Sequence, residues 1–133
     1  MKQKTNRKKV GDIGENIATK FLIKKGFRVL SRNYLKPFGE IDIIAEIKGT
    51  LHFIEVKTVS CENIETFLKK RDFYRPEDNV HAWKLSRISK TIQVYLSEKH
   101  LSEDVEWVFD VVAIYLDVKT KKARVSFLED IIL

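Results

Sequence analysis

GEIDIIAEIKGTLHFIEVK, residues 39–57, holds two runs of strand-forming residues on either side of Lys48-Gly49. A glycine-containing pair between two such runs predicts a two-residue hairpin loop. With that loop Ile41 faces Val56, Ile43 faces Ile54 and Ala45 faces His52, which makes one side largely apolar and fit to lie on a core. The same pairing sets Asp42 opposite Glu55 and Glu40 opposite Lys57 on the second side, with Ile44 and Phe53 nearer the turn. A slip of one residue would mix the two sides, so burial fixes the register.

Glu40 and Lys57 read as an ordinary cross-strand ion pair, worth roughly 0.2 to 1 kcal/mol. Asp42 against Glu55 does not. Two carboxylates about 4 Å apart repel by about 4 kcal/mol at an effective dielectric constant near ~20. A divalent cation reverses that sign, because Mg²⁺ or Mn²⁺ takes oxygen ligands, commonly one or two carboxylates completed by water and phosphate. Lys57, two residues beyond Glu55, projects from the same side, where an ammonium can orient or deprotonate an attacking water. The bland alternative is a solvated strand end with Lys57 neutralising the two acids.

Outward from the hairpin, Val10, Ile13, Ile17, Phe21 and Leu22 recur at helical spacing over residues 10–25 and Gly26 supplies a stop. Glu15 falls at the edge of that apolar stripe. The runs 27–34, 40–47 and 51–58 read as strands. Residues 60–78 show no clean period and read as an elaborated loop. Asn79 can cap a second helix to about residue 99, with Leu85, Ile88, Ile92, Tyr95 and Leu96 on one face and Trp83, Arg87, Lys90 and Val94 on the other. Strands at 106–116 and 123–128 close the chain. The order α-β-β-β-α-β-β predicts an α/β fold, a mixed central sheet flanked by helices.

The 133 residues, 44% of them hydrophobic, suffice for one domain with a real core. The longest apolar stretch, Val108 to Leu116, is broken by Asp110, far short of the roughly 20 residues a spanning helix needs. No signal-peptide pattern follows the basic opening, so a cytoplasmic protein is expected. The lone Cys61 has no disulfide partner and is given no role. Of the net charge of +6, five basic residues, Lys2, Lys4, Arg7, Lys8 and Lys9, precede the first acid. Residues 1–9 are therefore expected to form a flexible basic arm suited to phosphates, and residues 10–133 a single domain.

At these residues the chain resembles the PD-(D/E)xK nuclease superfamily, and within it the YraN family, a Holliday junction resolvase-like group. The resemblance is carried by GDIGENIATKFLIKKGFRVLSRNY, GEIDIIA, FIEVK, WKLSRISKTIQVYL and FDVVAIY in that order. It implies a restriction-endonuclease-like core, a Mg²⁺ or Mn²⁺ ion held by Asp42, Glu55, Val56 and Glu15, and Lys57 acting on the attacking water. Asp42, Glu55, Lys57 and Glu15 would thus be the catalytic set. DNA rather than RNA is the implied partner, contacted through Lys4, Arg7, Lys8, Lys9, Lys84 and Arg87; cleavage of branched DNA would imply a homodimer. Asp110 of FDVV fits a structural role as well as a functional one. The chain departs from the family pattern at Val59, where an arginine is usual, and in the glycine-free stretch that follows.

Two other readings stand beside the nuclease. One is a catalytically idle module that binds nucleic acid or a repair protein through the basic arm and the Trp83, Arg87 and Lys90 strip. The other is a scaffold whose positive charge only keeps it in solution.

Overall fold

The structure, a computed structural model, describes residues 6–64, 82–117 and 119–131. Among the described residues two helices and five strands follow in the expected order: α1 (Asn6–Lys24), β1 (Arg28–Lys36), β2 (Gly39–Ile47), β3 (Thr50–Cys61), α2 (Ala82–Glu98), β4 (Trp107–Asp117) and β5 (Ala123–Leu128). The strands form one sheet in sequential order, antiparallel except for β3 against β4, which run parallel because α2 carries the chain back between them. This is the mixed α/β architecture the sequence predicts.

Alternation along the central strands sends their side chains into two cores. Ile43, Ala45 and Ile54 pack with Ala18 and Leu22 of α1, while Ile44 and Phe53 pack with Ile88, Ile92 and Tyr95 of α2. Each helix therefore covers one face of the sheet. The hairpin loop is as expected: Lys48 and Gly49 both have positive φ, 50° and 81°, the backbone a two-residue turn of the primed type demands. Pairing then runs from Ile47↔Thr50 to Ile43↔Ile54, in the register fixed by the apolar residues.

α1 starts earlier than its apolar stripe suggests. Arg7, Lys8 and Lys9 stand on its first turns, not on a flexible arm, and Lys4 lies outside the described residues. The helix stops where Gly26, at φ 100°, donates its N–H to the Ile23 carbonyl while Phe27 donates to Leu22. Phe27 and Leu22 share one core cluster, which completes a Schellman stop.

Two glycines set the helices close to the strands that bear the charges. A Cβ on Gly14 would lie 1.8 Å from Thr58 Oγ1, so only glycine lets α1 sit this near β3. A Cβ on Gly39 would meet Thr91 Oγ1 at 2.5 Å, so the start of β2 rests directly on α2. The 60–78 stretch extends β3 to Cys61; its remainder from 65, together with Asn79, lies outside the described residues. Cys61 donates its thiol to the Leu116 carbonyl at 3.6 Å, and burial pushes its pKa up, as for an inert thiol.

Candidate functional site

The ladder between β2 and β3 ends at Ile43↔Ile54, one residue short of Asp42 and Glu55. Beyond it the Asp42 side chain takes over: its Oδ2 accepts the Val56 N–H at 2.7 Å, bridging the strands where backbone pairing has ceased. On the other flank neither Asp42 nor Asn33 enters the β1–β2 register, and Asn33 has φ 55°. This irregularity corrects one expectation. Ile41 does not share the side of Ile43 and Ala45 but packs with Ile44 in the α2 core, because the alternation that would place it elsewhere is interrupted at Asp42. Glu40 and Lys57 are likewise not a cross-strand pair: Glu40 stands opposite Leu35 of β1, and Lys57 opposite Ala113 of β4.

Lys57 turns to its own strand, with Nζ 3.6 Å from Glu55 Oε1. The same oxygen receives Lys84 Nζ from the first turn of α2, at 2.5 Å. Glu55 is buried, 7% exposed, and holds two ammonium groups on one oxygen. Sequence reading assigned Lys84 to nucleic acid and had no signal for this bond, since α2 reaches Glu55 only through tertiary packing.

Burial, the charge of Glu55 and a hydrogen bond with it push the Asp42 pKa up to about 8, with Glu15 adding to the rise and the Val56 N–H opposing it. Asp42 is thus the carboxyl that retains its proton up to that value, beside Glu55. Burial, then Glu15 and Glu55, also raise Glu40, with Lys84 pulling it back. Burial and the adjacent Lys84 lower the Lys57 pKa against the attraction of Glu55 and Asp42. At Lys84 burial acts downward, but the charge and hydrogen bond of Glu55 outweigh it and the pKa is raised.

Glu15 faces the same region without joining the pair. Its Oε1 accepts from Arg32 at 3.2 Å, and Arg32 also donates to Asn16 Oδ1 at 2.9 Å. Arg32 is a contact the sequence gave no reason to expect. Two clefts adjoin the acids. A broad one of about 970 Å³ is lined by Arg7, Lys8, Glu15, Asp42, Val56 and Lys57; a narrow one of about 230 Å³ by Glu40, Asp42, Glu55, Lys84 and Arg87. Asp42 and Glu40 line both and so form the wall between them. Lys9 is exposed on α1 but lines neither, and the Trp83 side chain is outside the description.

Among the described residues no group of three or more His, Cys, Asp or Glu is gathered as a metal cage. What is gathered is a pair, Asp42 and Glu55, beside an open cleft. Two carboxylates leaving room for water and phosphate suit Mg²⁺ or Mn²⁺ better than a closed site would, so the donor set fits such an ion. Asp110 belongs elsewhere: it is fully buried, its Oδ2 2.5 Å from His52 Nδ1 and its Oδ1 accepting the Asp130 N–H at 2.8 Å.

A five-stranded mixed sheet with a helix on each face, and paired acids where two central strands part, define a mixed α/β protein consistent with a restriction-endonuclease-like core. The chain belongs to the uncharacterised protein family UPF0102, the YraN-like group, which it matches over residues 14–114. That span runs from Gly14 into β4 and includes Glu15, Asp42, Glu55, Lys57 and Lys84. The chain is 37% identical to a UPF0102 protein of Caldicellulosiruptor bescii over 126 residues, 94% of this chain and 98% of the relative. A UPF0102 protein of Campylobacter hominis is 41% identical over 123 residues, covering 92% and 93% of the two chains. One from Caldanaerobacter subterraneus is 36% identical over 115 residues, 86% of each. No helix among the described residues is long and apolar enough to cross a membrane.

Proposed function

We propose that this protein is a metal-dependent endonuclease that hydrolyses phosphodiester bonds in DNA, branched DNA included, within the cytoplasm. The observation that carries the reading is the convergence of the Asp42 and Glu55 carboxyl groups beside Lys57 at the point where β2 and β3 separate. Lys84 and Lys57 offset Glu55, and a divalent cation would satisfy both carboxylates at once.

Asp42 and Glu55, with the backbone of Val56, would hold Mg²⁺ or Mn²⁺, which supplies Lewis-acid activation of water and offsets charge on the phosphate. Lys57, its pKa lowered by burial and by Lys84, is suited to accept a proton from the attacking water. Arg7 and Lys8 line the broad cleft and would hold the phosphate backbone there, so binding should weaken steeply with salt. Cleavage of a four-way junction needs two such sites and hence a homodimer.

The test is a cleavage assay with Mg²⁺ and Mn²⁺ over linear, flap and four-way DNA. Wild-type protein should cut at least one of them, and Lys57→Ala should be slower by about 10² to 10⁴. If all three substrates stay intact, or if the variant cuts as fast as the wild type, the reading fails. Salt-sensitive DNA binding without cleavage would instead support the idle binding module.

A further inference from the structure

Glu55 Oε1 has two ammonium neighbours. Lys84 Nζ lies 2.5 Å from it and Lys57 Nζ 3.6 Å, and the residue itself is buried. One carboxylate oxygen with two ammonium neighbours cannot also take a divalent ion at contact distance unless one of them gives way, since cations crowded on one oxygen repel.

The two lysines border different clefts. Lys57 makes the longer contact, leaving room on the oxygen, and lines the broad cleft. Lys84 stands in the first turn of α2 and makes the shorter one. It also lines the narrow cleft of about 230 Å³, in company with Arg87. That cleft lies across the Asp42 and Glu40 wall from the broad one, so an ammonium released from Glu55 has somewhere to go and a second cation beside it there.

We infer that Lys84 is a displaceable counter-ion: it neutralises Glu55 until a divalent cation takes its place, and then turns into the narrow cleft, where with Arg87 it receives a phosphate of the substrate. This rests on the metal-dependent reading above and adds to it a positioning residue from the second helix. An ammonium in the acidic pair keeps the protein folded at the site without the ion and lowers the ion's apparent affinity by competing for the same oxygen. It also ties metal arrival to the appearance of a phosphate-binding group on the far side of the wall.

The experiment is calorimetric titration of Mn²⁺ into wild type, Lys84→Gln and Lys84→Arg. Removing the competitor should tighten Mn²⁺ binding by about tenfold, while the arginine, which keeps a cation on Glu55, should leave it unchanged or weaker. Equal affinity in wild type and Lys84→Gln overturns the inference and leaves the metal reading intact. No binding in any of the three overturns the metal reading and the counter-ion with it. Should the glutamine variant fail to fold, nitrogen-detected NMR of the lysine ammonium groups in the wild type decides. The Lys84 signal should shift and lose its hydrogen-bonded protection on addition of Mg²⁺, and a signal unmoved at saturating Mg²⁺ overturns the inference.

Discussion

Asp42 and Asp110 are two acids sunk into one sheet, and the sheet answers them differently. Both oxygens of Asp110 have complementary partners, His52 Nδ1 and the Asp130 N–H. Asp42 has the Val56 N–H and then a second carboxylate. Burial raises both pKa values; at Asp110 the amide and the imidazole draw it back, whereas at Asp42 the charges of Glu55 and Glu15 drive it further, against the Val56 amide and the attraction of Lys57 and Lys84. The first acid is a joint that fastens β3, β4 and the chain beyond β5. The second is held among like charges at a cost to stability, which is how sites completed by something else are built.

The contrast is sharpest in what truncation should do. Asp110→Ala leaves His52 and the Asp130 N–H facing a buried gap, and is expected to cost about 3 kcal/mol in urea unfolding. Asp42→Ala loses one N–H bond but relieves a repulsion, and should cost less than about 1 kcal/mol. Equal losses at the two positions would mean that Asp42 is as much a structural joint as Asp110.

Acidity gives an effect of comparable size. Asp42 has an ordinary pKa of 3.8 in the unfolded chain and about 8 in the fold. Between those values the native protein holds a proton that the unfolded chain has lost. The stability linked to that proton is fully present below the unfolded value, falls as pH rises, and is gone once pH passes the folded value. The slope in the window is at most about 1.4 kcal/mol per pH unit for one proton. Unfolding measured from pH 5 to 8 should show it, and Asp42→Asn should flatten it. A wild-type curve already flat there would remove the proton retained by Asp42. Binding of Mn²⁺ near pH 7 should correspondingly release about one proton, seen as a dependence of the calorimetric heat on buffer ionisation.

How far the sequence reached follows the same divide. The loop at Lys48-Gly49, the register from Ile47 back to Ile43 and the order of elements were all legible, because local turn chemistry and period-two patterning determine them; Asp42 and Glu55 do meet, but through their side chains beyond the end of the ladder. Ile41 was misplaced and Glu40 was wrongly paired with Lys57 because both extrapolated a ladder that stops at Ile43↔Ile54. A hydrophobic pattern carries no mark of where backbone pairing gives out. Lys84 and Arg32 were out of reach for another reason: each arrives from a different element, and only packing such as Gly39 against Thr91 decides that it touches Glu55 or Glu15. His52 and Asp110 meet through the parallel β3–β4 pairing, which spacing along the chain does not encode.

Arg32 offers the smallest and most discriminating change. It holds Glu15 at 3.2 Å, and its side chain is 36% exposed, so the bond stabilises the fold by less than about 1 kcal/mol. Arg32→Gln should therefore unfold almost as the wild type does. Its effect belongs to the site. Glu15 already adds to the charge felt by Asp42, and without the guanidinium its carboxylate can turn toward the acidic pair. A third oxygen donor and one positive charge fewer should then tighten Mn²⁺ binding by about threefold. An unchanged affinity would take Glu15 out of the ligand set and leave two carboxylates to hold the ion.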